Sequence, residues 1–580
     1  MLTSLIIIPL LGALVLFPMN DSTAVEVSRV KRVALLATVI TFILSMILWA
    51  EFDSSSSSFQ FTQSFTSLNF DKSFFPNFLM ESKSGTDVSK APALSHVPNG
   101  NETWALGVDG LSLYFVLLTT FTLPLCLLAS WDNIKHNIKS FMIAFLVLES
   151  LLICVFVVLD LLLFYVFFES VLIPLFLIIG IWGASADKVR ASFLLFLYTL
   201  FGSLFMLLAF LVIFYHVGST DFEVLSLADI SFNQQRWLWL AIFMSLAIKT
   251  PLLPVHIWLS RAHVQADVST SMVLAGLILK LATYGYIRVL IPLLPEATSY
   301  FSPLVQTLCV VTLVYSSLTI LRQTDFKVLI AYSSVAHMSV VVIGLFSDTL
   351  QGIEGAILLS IGHGFVSPAL FFCLGGVLYN RYHTRQIRYF RGLIQYMPIF
   401  SLVLFLLILG NMSTPLTINW IGEFLSLTGA VQRNPVVGFA MSSGIVFSAA
   451  YSIWLYARLA GGQFSPYLGY ATDLTRREFM VLLPFVFSMF LFGLFPNIIL
   501  TDLHYSVSTL LTSPAPFAFC RPFLKKVPFF VFYFSRKIKR KRGRLFFIFL
   551  SFLFFTFLSD KGLGRFFACF SVFIFFLFCK

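Results

Sequence analysis

Charge is scarce in this chain. Of its 580 residues, 11% are Asp, Glu, Lys or Arg and 58% are hydrophobic, whereas soluble globular domains carry about 25% charged residues. Such a chain cannot cover itself with a water-compatible surface and reads as an integral membrane protein. The seven cysteines (Cys126, Cys154, Cys309, Cys373, Cys520, Cys569, Cys579) form no C-x-x-C pair and have neither iron–sulfur nor zinc spacing. Walker loops and dinucleotide fingerprints are missing, so ATP-driven transport and direct nicotinamide chemistry have no support. Nothing resembles a hydrolase triad or a carboxylate cluster for a divalent metal. A leader is lacking too: the first basic residue is Arg29, so the apolar run Leu2 to Phe17 has no positive n-region and no transit-peptide arginines. It reads as the first span, and the missing leader points to synthesis where the protein works, in a bacterium or an organelle with its own genome.

The net charge of +11 suggests a binder of nucleic acid or anionic lipid until it is located. Thirteen of the 38 Lys and Arg lie in residues 515–580 with one acidic residue, Asp560, and the remaining body is net −1. The body is near neutral and offers no nucleic-acid surface.

Apolar runs then follow one another: Leu2 to Phe17, Val33 to Ala50, Leu111 to Ser130, Phe141 to Leu159, Leu161 to Trp182, Ala191 to His216 and Trp237 to Ser260. Seven more continue at Ser271 to Ile291, Pro303 to Leu321, Val328 to Phe346, Ile353 to Tyr379, Pro398 to Thr428, Val436 to Ala460 and Val481 to Leu503. This predicts an all-α polytopic membrane protein of about fourteen spans at ~20 residues each, since barrel strands would alternate polar and apolar residues. The chain divides into N-terminal helices (1–50), a Ser/Phe-rich loop (51–103) expected to be flexible, a first half (104–300), a second half with its C-terminal helix (301–513), and a tail (514–580). Asn101-Glu102-Thr103 matches a glycosylation acceptor, which carries little weight without a secretory signal.

Two lysines sit where lipid is expected. Lys249 precedes Thr250-Pro251-Leu252-Leu253-Pro254, and Lys280 lies near the middle of Ser271 to Ile291. One charge at the centre of a membrane helix costs roughly 2.5–3.5 kcal/mol, so such residues are rare and face protein or water-filled cavities. Proline cannot donate to the helix ladder, and a helix broken at mid-membrane is how transporters build ion sites. Alternatively, Lys249 snorkels to the interface, or the prolines only kink a packed helix. A shift of 164 residues aligns Thr250-Pro251-Leu252 with Thr414-Pro415-Leu416. Two halves, each with a broken helix, is the resulting working model.

Glu169, Lys249, Lys280 and Glu423 facing lipid together would cost roughly 10–14 kcal/mol, comparable to the stability of a whole domain. They must face inward or lie near the interface. Glu149 and Asp160, eleven residues apart, share a face if their helix continues unbroken. Burial raises the pKa of a carboxylate and lowers that of an amine, which favours proton exchange near neutral pH. His256, His337 and His363 lie in or beside apolar runs and suit intermediate steps, or packing. His263, beside Arg261 and Asp267, reads as a loop or interface residue. The chemistry on offer is proton movement.

Several stretches now add up to a resemblance: Leu159-Asp160-Leu161-Leu162-Leu163-Phe164-Tyr165-Val166-Phe167-Phe168-Glu169, Ala247-Ile248-Lys249-Thr250-Pro251, Leu274-Ala275-Gly276-Leu277-Ile278-Leu279-Lys280, Ile330-Ala331-Tyr332-Ser333-Ser334-Val335-Ala336-His337-Met338, His363-Gly364-Phe365 and Ile421-Gly422-Glu423-Phe424. The chain resembles the subunit 4 family of mitochondrial-type proton-pumping NADH:ubiquinone oxidoreductase, respiratory complex I, over roughly residues 100–510. The resemblance implies two inverted five-helix repeats, each with one discontinuous helix. It implies that Glu169 and Lys249 form a switching ion pair, that Lys280 is the central proton carrier, and that His337 and His363 link it towards Glu423. It also implies no redox group in this chain, with NADH, FMN, iron–sulfur clusters and ubiquinone belonging to partner subunits. The implied partners are other membrane-arm subunits, including neighbouring antiporter-like ones, and membrane lipid, and the implied location is the mitochondrial inner membrane. A cation/proton antiporter subunit is the alternative, since such transporters resemble the same core.

The chain departs from the resembling pattern at Asp267, where a proline is usual, at Arg261, where an acidic residue is common, and at Gly362, where serine is usual. The tail has no counterpart. Its basic block Arg536-Lys537-Ile538-Lys539-Arg540-Lys541-Arg542-Gly543-Arg544 precedes two Phe-rich runs short for spans. It reads as an interfacial anchor, an unstructured appendage, or a reading frame extended past the true end.

Overall fold

The computed structural model describes residues 1–66, 103–463, 465–469 and 471–512. The tail, the middle of the Ser/Phe-rich loop and Asn101 of the glycosylation motif lie outside the described residues. The described chain is overwhelmingly helical, and eleven of its helices are long and apolar enough to cross a membrane. Leu2–Leu16 and Pro398–Asn411 are shorter apolar helices.

Two of the expected spans come apart at their Thr-Pro sequences. Trp237 to Ser260 becomes Phe232–Lys249 and Ile257–Gln265, and Pro398 to Thr428 becomes Pro398–Asn411 and Ile418–Arg433. Among the crossing helices, burial separates centre from rim. The most apolar stretches of Val268–Leu293 and Leu350–Tyr382 are 94% and 100% buried, whereas that of Lys188–Val217 is 39% buried. Lys280 and His363 therefore ride on the two most enclosed spans. Both contain π-helical segments: Leu274–Ile278 and Tyr286–Leu290 flank Lys280, and Phe371–Leu378 follows His363. Such widened turns free carbonyls for side chains and recur at functional sites.

The second half is drawn together by close backbone approach. A Cβ on Gly362 would stand 2.2 Å from Asn419 Oδ1, and one on Gly422 would stand 2.6 Å from the backbone nitrogen of Leu359. Only glycine permits this spacing between Leu350–Leu370 and Ile418–Arg433, in the manner of small-residue contacts between membrane helices. The serine usual at position 362 would collide with Asn419 here.

Three expectations need correction. The ends of the Ser/Phe-rich loop are ordered as an antiparallel ribbon of Gln60–Thr66 and Thr103–Val108, with Gln60 opposite Val108 and Thr66 opposite Thr103. Glu149 and Asp160 do not share a helix, because Ile138–Val157 ends before Asp160. Asp160 instead caps Leu161–Ser170, accepting from the Leu163 N–H at 2.8 Å and from the Thr220 hydroxyl, at the point where one apolar run ends and the next begins. His263 lies on the helix Ile257–Gln265 and not in a loop or at the interface. It is fully buried, its ring stacked on Phe371 with centroids 4.4 Å apart.

Candidate functional site

At the first break, the lost ladder bonds are replaced one by one. The Leu252 N–H reaches back five residues to Ala247 O at 3.0 Å, and the indole N–H of Trp258 donates to Ile248 O at 2.8 Å. Thr250 Oγ1 donates to Leu246 O at 2.8 Å and meets Tyr286 Oη at 3.2 Å. The carbonyls freed by the prolines are thus held by protein, as buried backbone in a membrane must be. The second break repeats the device: the Thr414 N–H reaches Leu409 O at 3.1 Å, and Asn419 Nδ2 donates to Gly410 O at 2.9 Å.

This arrangement fixes Lys249 as the last helical residue before the break, buried with 1% exposure. Snorkelling is excluded. Its ammonium donates to Phe168 O at 2.8 Å, lies 3.2 Å from the centroid of the Phe168 ring, and stands 3.7 Å from Glu169 Oε1. The carbonyl and ring hold the cation in place, while the carboxylate is paired more loosely than a hydrogen bond would be. Glu169 can leave without stripping Lys249 of all its partners.

Lys280, equally buried, donates to Ala275 O at 2.7 Å, five residues back across the widened turn, and meets His363 Nδ1 at 2.8 Å. His363 faces His337 with ring centroids 5.7 Å apart, and His337 Nδ1 meets Glu423 Oε1 at 3.0 Å. Lys280, His363, His337 and Glu423 come from four different helices and form one buried line. The six candidate site residues thus fall into two sets, Glu169 with Lys249 and the four that follow from Lys280.

The other ionisable groups fall outside these sets. Glu149 is fully buried and accepts from Thr41 Oγ1 at 2.6 Å. His256 lies in the turn of the first break beside Tyr315 and Tyr332. Asp267 takes over a helix start from the usual proline by capping: its carboxylate accepts from Ser269 Oγ at 3.0 Å. Lys327, which the sequence reading missed because it flanks a run rather than interrupting one, is 3% exposed and donates to Ala266 O at 2.7 Å. Among the described residues, no group of three or more His, Cys, Asp and Glu is placed to hold a metal.

Two interrupted helices and a buried line of acid, base and imidazole define a multi-pass membrane protein of the antiporter-like class. Residues 158–448 match the family described as NADH:quinone oxidoreductase/Mrp antiporter, TM, and residues 93–158 match NADH-ubiquinone oxidoreductase chain 4, amino terminus. NADH-ubiquinone oxidoreductase chain 4 of Mycosarcoma maydis is 62% identical over 513 residues, covering 88% of this chain and all of that one; the Arabidopsis thaliana protein of the same name is 46% identical over 510 residues, covering 88% and 96%. A chain of respiratory complex I from Thermus thermophilus with bound NADH superposes with a TM-score of 0.75 at 27% identity, covering 89% of this chain and all of that one. A chain of the archaeal membrane-bound sulfane sulfur reductase shares the fold, with a TM-score of 0.73 at 18% identity over 88% and 99%. The chain belongs to the NADH-ubiquinone oxidoreductase chain 4 family.

Proposed function

We propose that protons cross this subunit through Glu169, Lys249, Lys280, His363, His337 and Glu423. The chain is a proton-translocating membrane subunit of NADH:ubiquinone oxidoreductase, working beside other antiporter-like subunits, with the redox cofactors in partner subunits. The observation that carries the route is the buried succession from Lys280 to Glu423, at 2.8 Å to His363 and 3.0 Å between His337 and Glu423, with the His363 and His337 rings facing each other between them. Protonated Lys280 donates to His363 Nδ1. His363 accepts that proton and gives up the one on Nε2 towards His337, across a gap that one water molecule bridges. His337 then passes a proton from Nδ1 to Glu423. Each transfer leaves its donor neutral, or, for the rings, in the other tautomer. Glu169 sets the start: paired with Lys249 it holds that lysine charged, and when the pair opens, the lysine's positive charge favours release of the proton from Lys280.

The sidedness follows from the basic residues. If each span crosses once, the loops after Phe17, Ala129, Trp182, Leu321, Tyr382 and Ala460 share a face, and contacts such as Trp182 Nε1 to His136 O (2.8 Å) and Asn380 Nδ2 to Asn133 Oδ1 (2.7 Å) join them. That face gathers Arg29, Lys31, Arg32, Lys135, Lys139, Lys188, Arg190, Arg322, Arg385, Arg388, Arg391, Arg476 and Arg477. Among the described residues, the opposite face carries Arg236, Arg288 and Arg433. By the positive-inside rule, the basic face meets the compartment where the chain is made, and the assignment we favour is the matrix side of the mitochondrial inner membrane.

The test is Lys249→Ala in the assembled complex. Protons pumped per NADH fall while assembly is retained; a full ratio in the assembled variant refutes the role. Sodium-dependent exchange without NADH would favour an antiporter instead.

A further inference from the structure

A cavity of about 270 Å³ opens where the start of Lys188–Val217, the end of Ile257–Gln265 and Val328 meet. We propose that it seats the phosphate of an anionic phospholipid from the surrounding bilayer, held by Arg190 and Arg261. Both arginines line the cavity, and among the described residues neither side chain has an ion pair or hydrogen bond. The neighbouring Lys188 is already engaged, donating to Ile181 O at 2.6 Å. Gln265 adds a donor: its side-chain oxygen is taken by Ser185 Oγ at 2.5 Å, which leaves its amide NH₂ for a ligand. Asp187 also lines the site, so two cations and one anion leave a net +1, the complement of one phosphodiester.

The wall becomes apolar deeper along Lys188–Val217, where Leu194 lines the cavity one turn beyond Arg190. On the same helix Phe193 and Leu197 are half or more exposed, at 50% and 58%, and give acyl chains an apolar track that runs inward from Arg190. The site opens on the basic face, and basic pockets between membrane helices bind anionic headgroups on that side.

The test uses the assembled complex in vesicles containing photoactivatable phosphatidylglycerol, with photoactivatable phosphatidylcholine as the comparison. Peptides spanning 188–197 and 257–265 are expected to label several-fold more with phosphatidylglycerol. Arg190→Gln with Arg261→Gln is expected to reduce that labelling roughly tenfold, in a complex that still oxidises NADH. If the double variant does not assemble, Arg261→Glu, which reverses one of the two positive charges, serves in its place and lowers labelling as well. Equal labelling by the two lipids, labelling unchanged in the variants, labelling abolished by millimolar inorganic phosphate, or cross-linking of these peptides to a neighbouring subunit in place of lipid would each overturn the proposal.

Discussion

Replacing Lys280 with methionine separates a proton carrier from a structural cation, because the effects on stability oppose each other. Methionine has nearly the same length and no charge, so the substitution removes an intramembrane charge cost of roughly 2.5–3.5 kcal/mol. It also takes the donor away from Ala275 O and His363 Nδ1, both buried, at about 1–3 kcal/mol each. The net change lies within about 3 kcal/mol of zero, so Lys280→Met assembles. The line from Lys280 to Glu423 is cut at its first member all the same. The assay is proton release into reconstituted vesicles, measured per NADH oxidised, beside a native gel for assembly. The expected outcome is an assembled complex with a lowered proton-to-NADH ratio. An unchanged ratio refutes Lys280 as a carrier, and failure to assemble refutes the near-cancellation.

Three further substitutions test the frame around the line. Trp258→Phe removes the indole N–H from Ile248 O and leaves a buried carbonyl unpaired, about 1–3 kcal/mol; because Ile248 adjoins Lys249, both the thermal midpoint of the complex and its pumping ratio fall. Gly362→Val forces side-chain atoms into the space held by Asn419 and Ile418, an overpacking cost of about 1–3 kcal/mol or more, so less assembled complex appears on a native gel. Asp160→Ala removes a helix cap at about 1 kcal/mol; the thermal midpoint drops slightly and the proton-to-NADH ratio stays at the unaltered value, in contrast to Lys280→Met.

The spans were legible because a bilayer demands about 20 apolar residues in a row, a constraint that hydropathy alone detects. The breaks were legible because Thr250-Pro251 and Thr414-Pro415 remove ladder donors inside apolar runs. Pairings were not. His363 lies 83 residues from Lys280, and Glu423 lies 86 from His337, and no periodicity within one helix reports which face of another it will meet. Asp160 already separates two apolar runs in the sequence, but its bond with the Thr220 hydroxyl, 60 residues on, was as hidden as the other pairings. Lys327 and His263 escaped because both lie near the ends of apolar runs, where a hydropathy pattern leaves burial undetermined, and here the packing of Phe371 and Gly375 encloses them.

The two breaks carry charges of opposite sign in an order that helix electrostatics explains. Lys249 is the last residue of Phe232–Lys249, where the unpaired carbonyls of a helix end concentrate partial negative charge, and a cation there gains about 0.3–1 kcal/mol. Glu423 is the sixth residue of Ile418–Arg433, on the side of a break where partial positive charge favours an anion. The effect fades beyond the first turn, so the dipole supports Glu423 less than it supports Lys249. His337 supplies what is missing, with its Nδ1 at 3.0 Å from the carboxylate. Lys249 is held by the carbonyl and ring of Phe168, at 2.8 Å and 3.2 Å, while Glu169 stands farther off at 3.7 Å. Glu423 leans on the imidazole of His337, which the ring of His363 faces with centroids 5.7 Å apart, and His363 in turn meets Lys280.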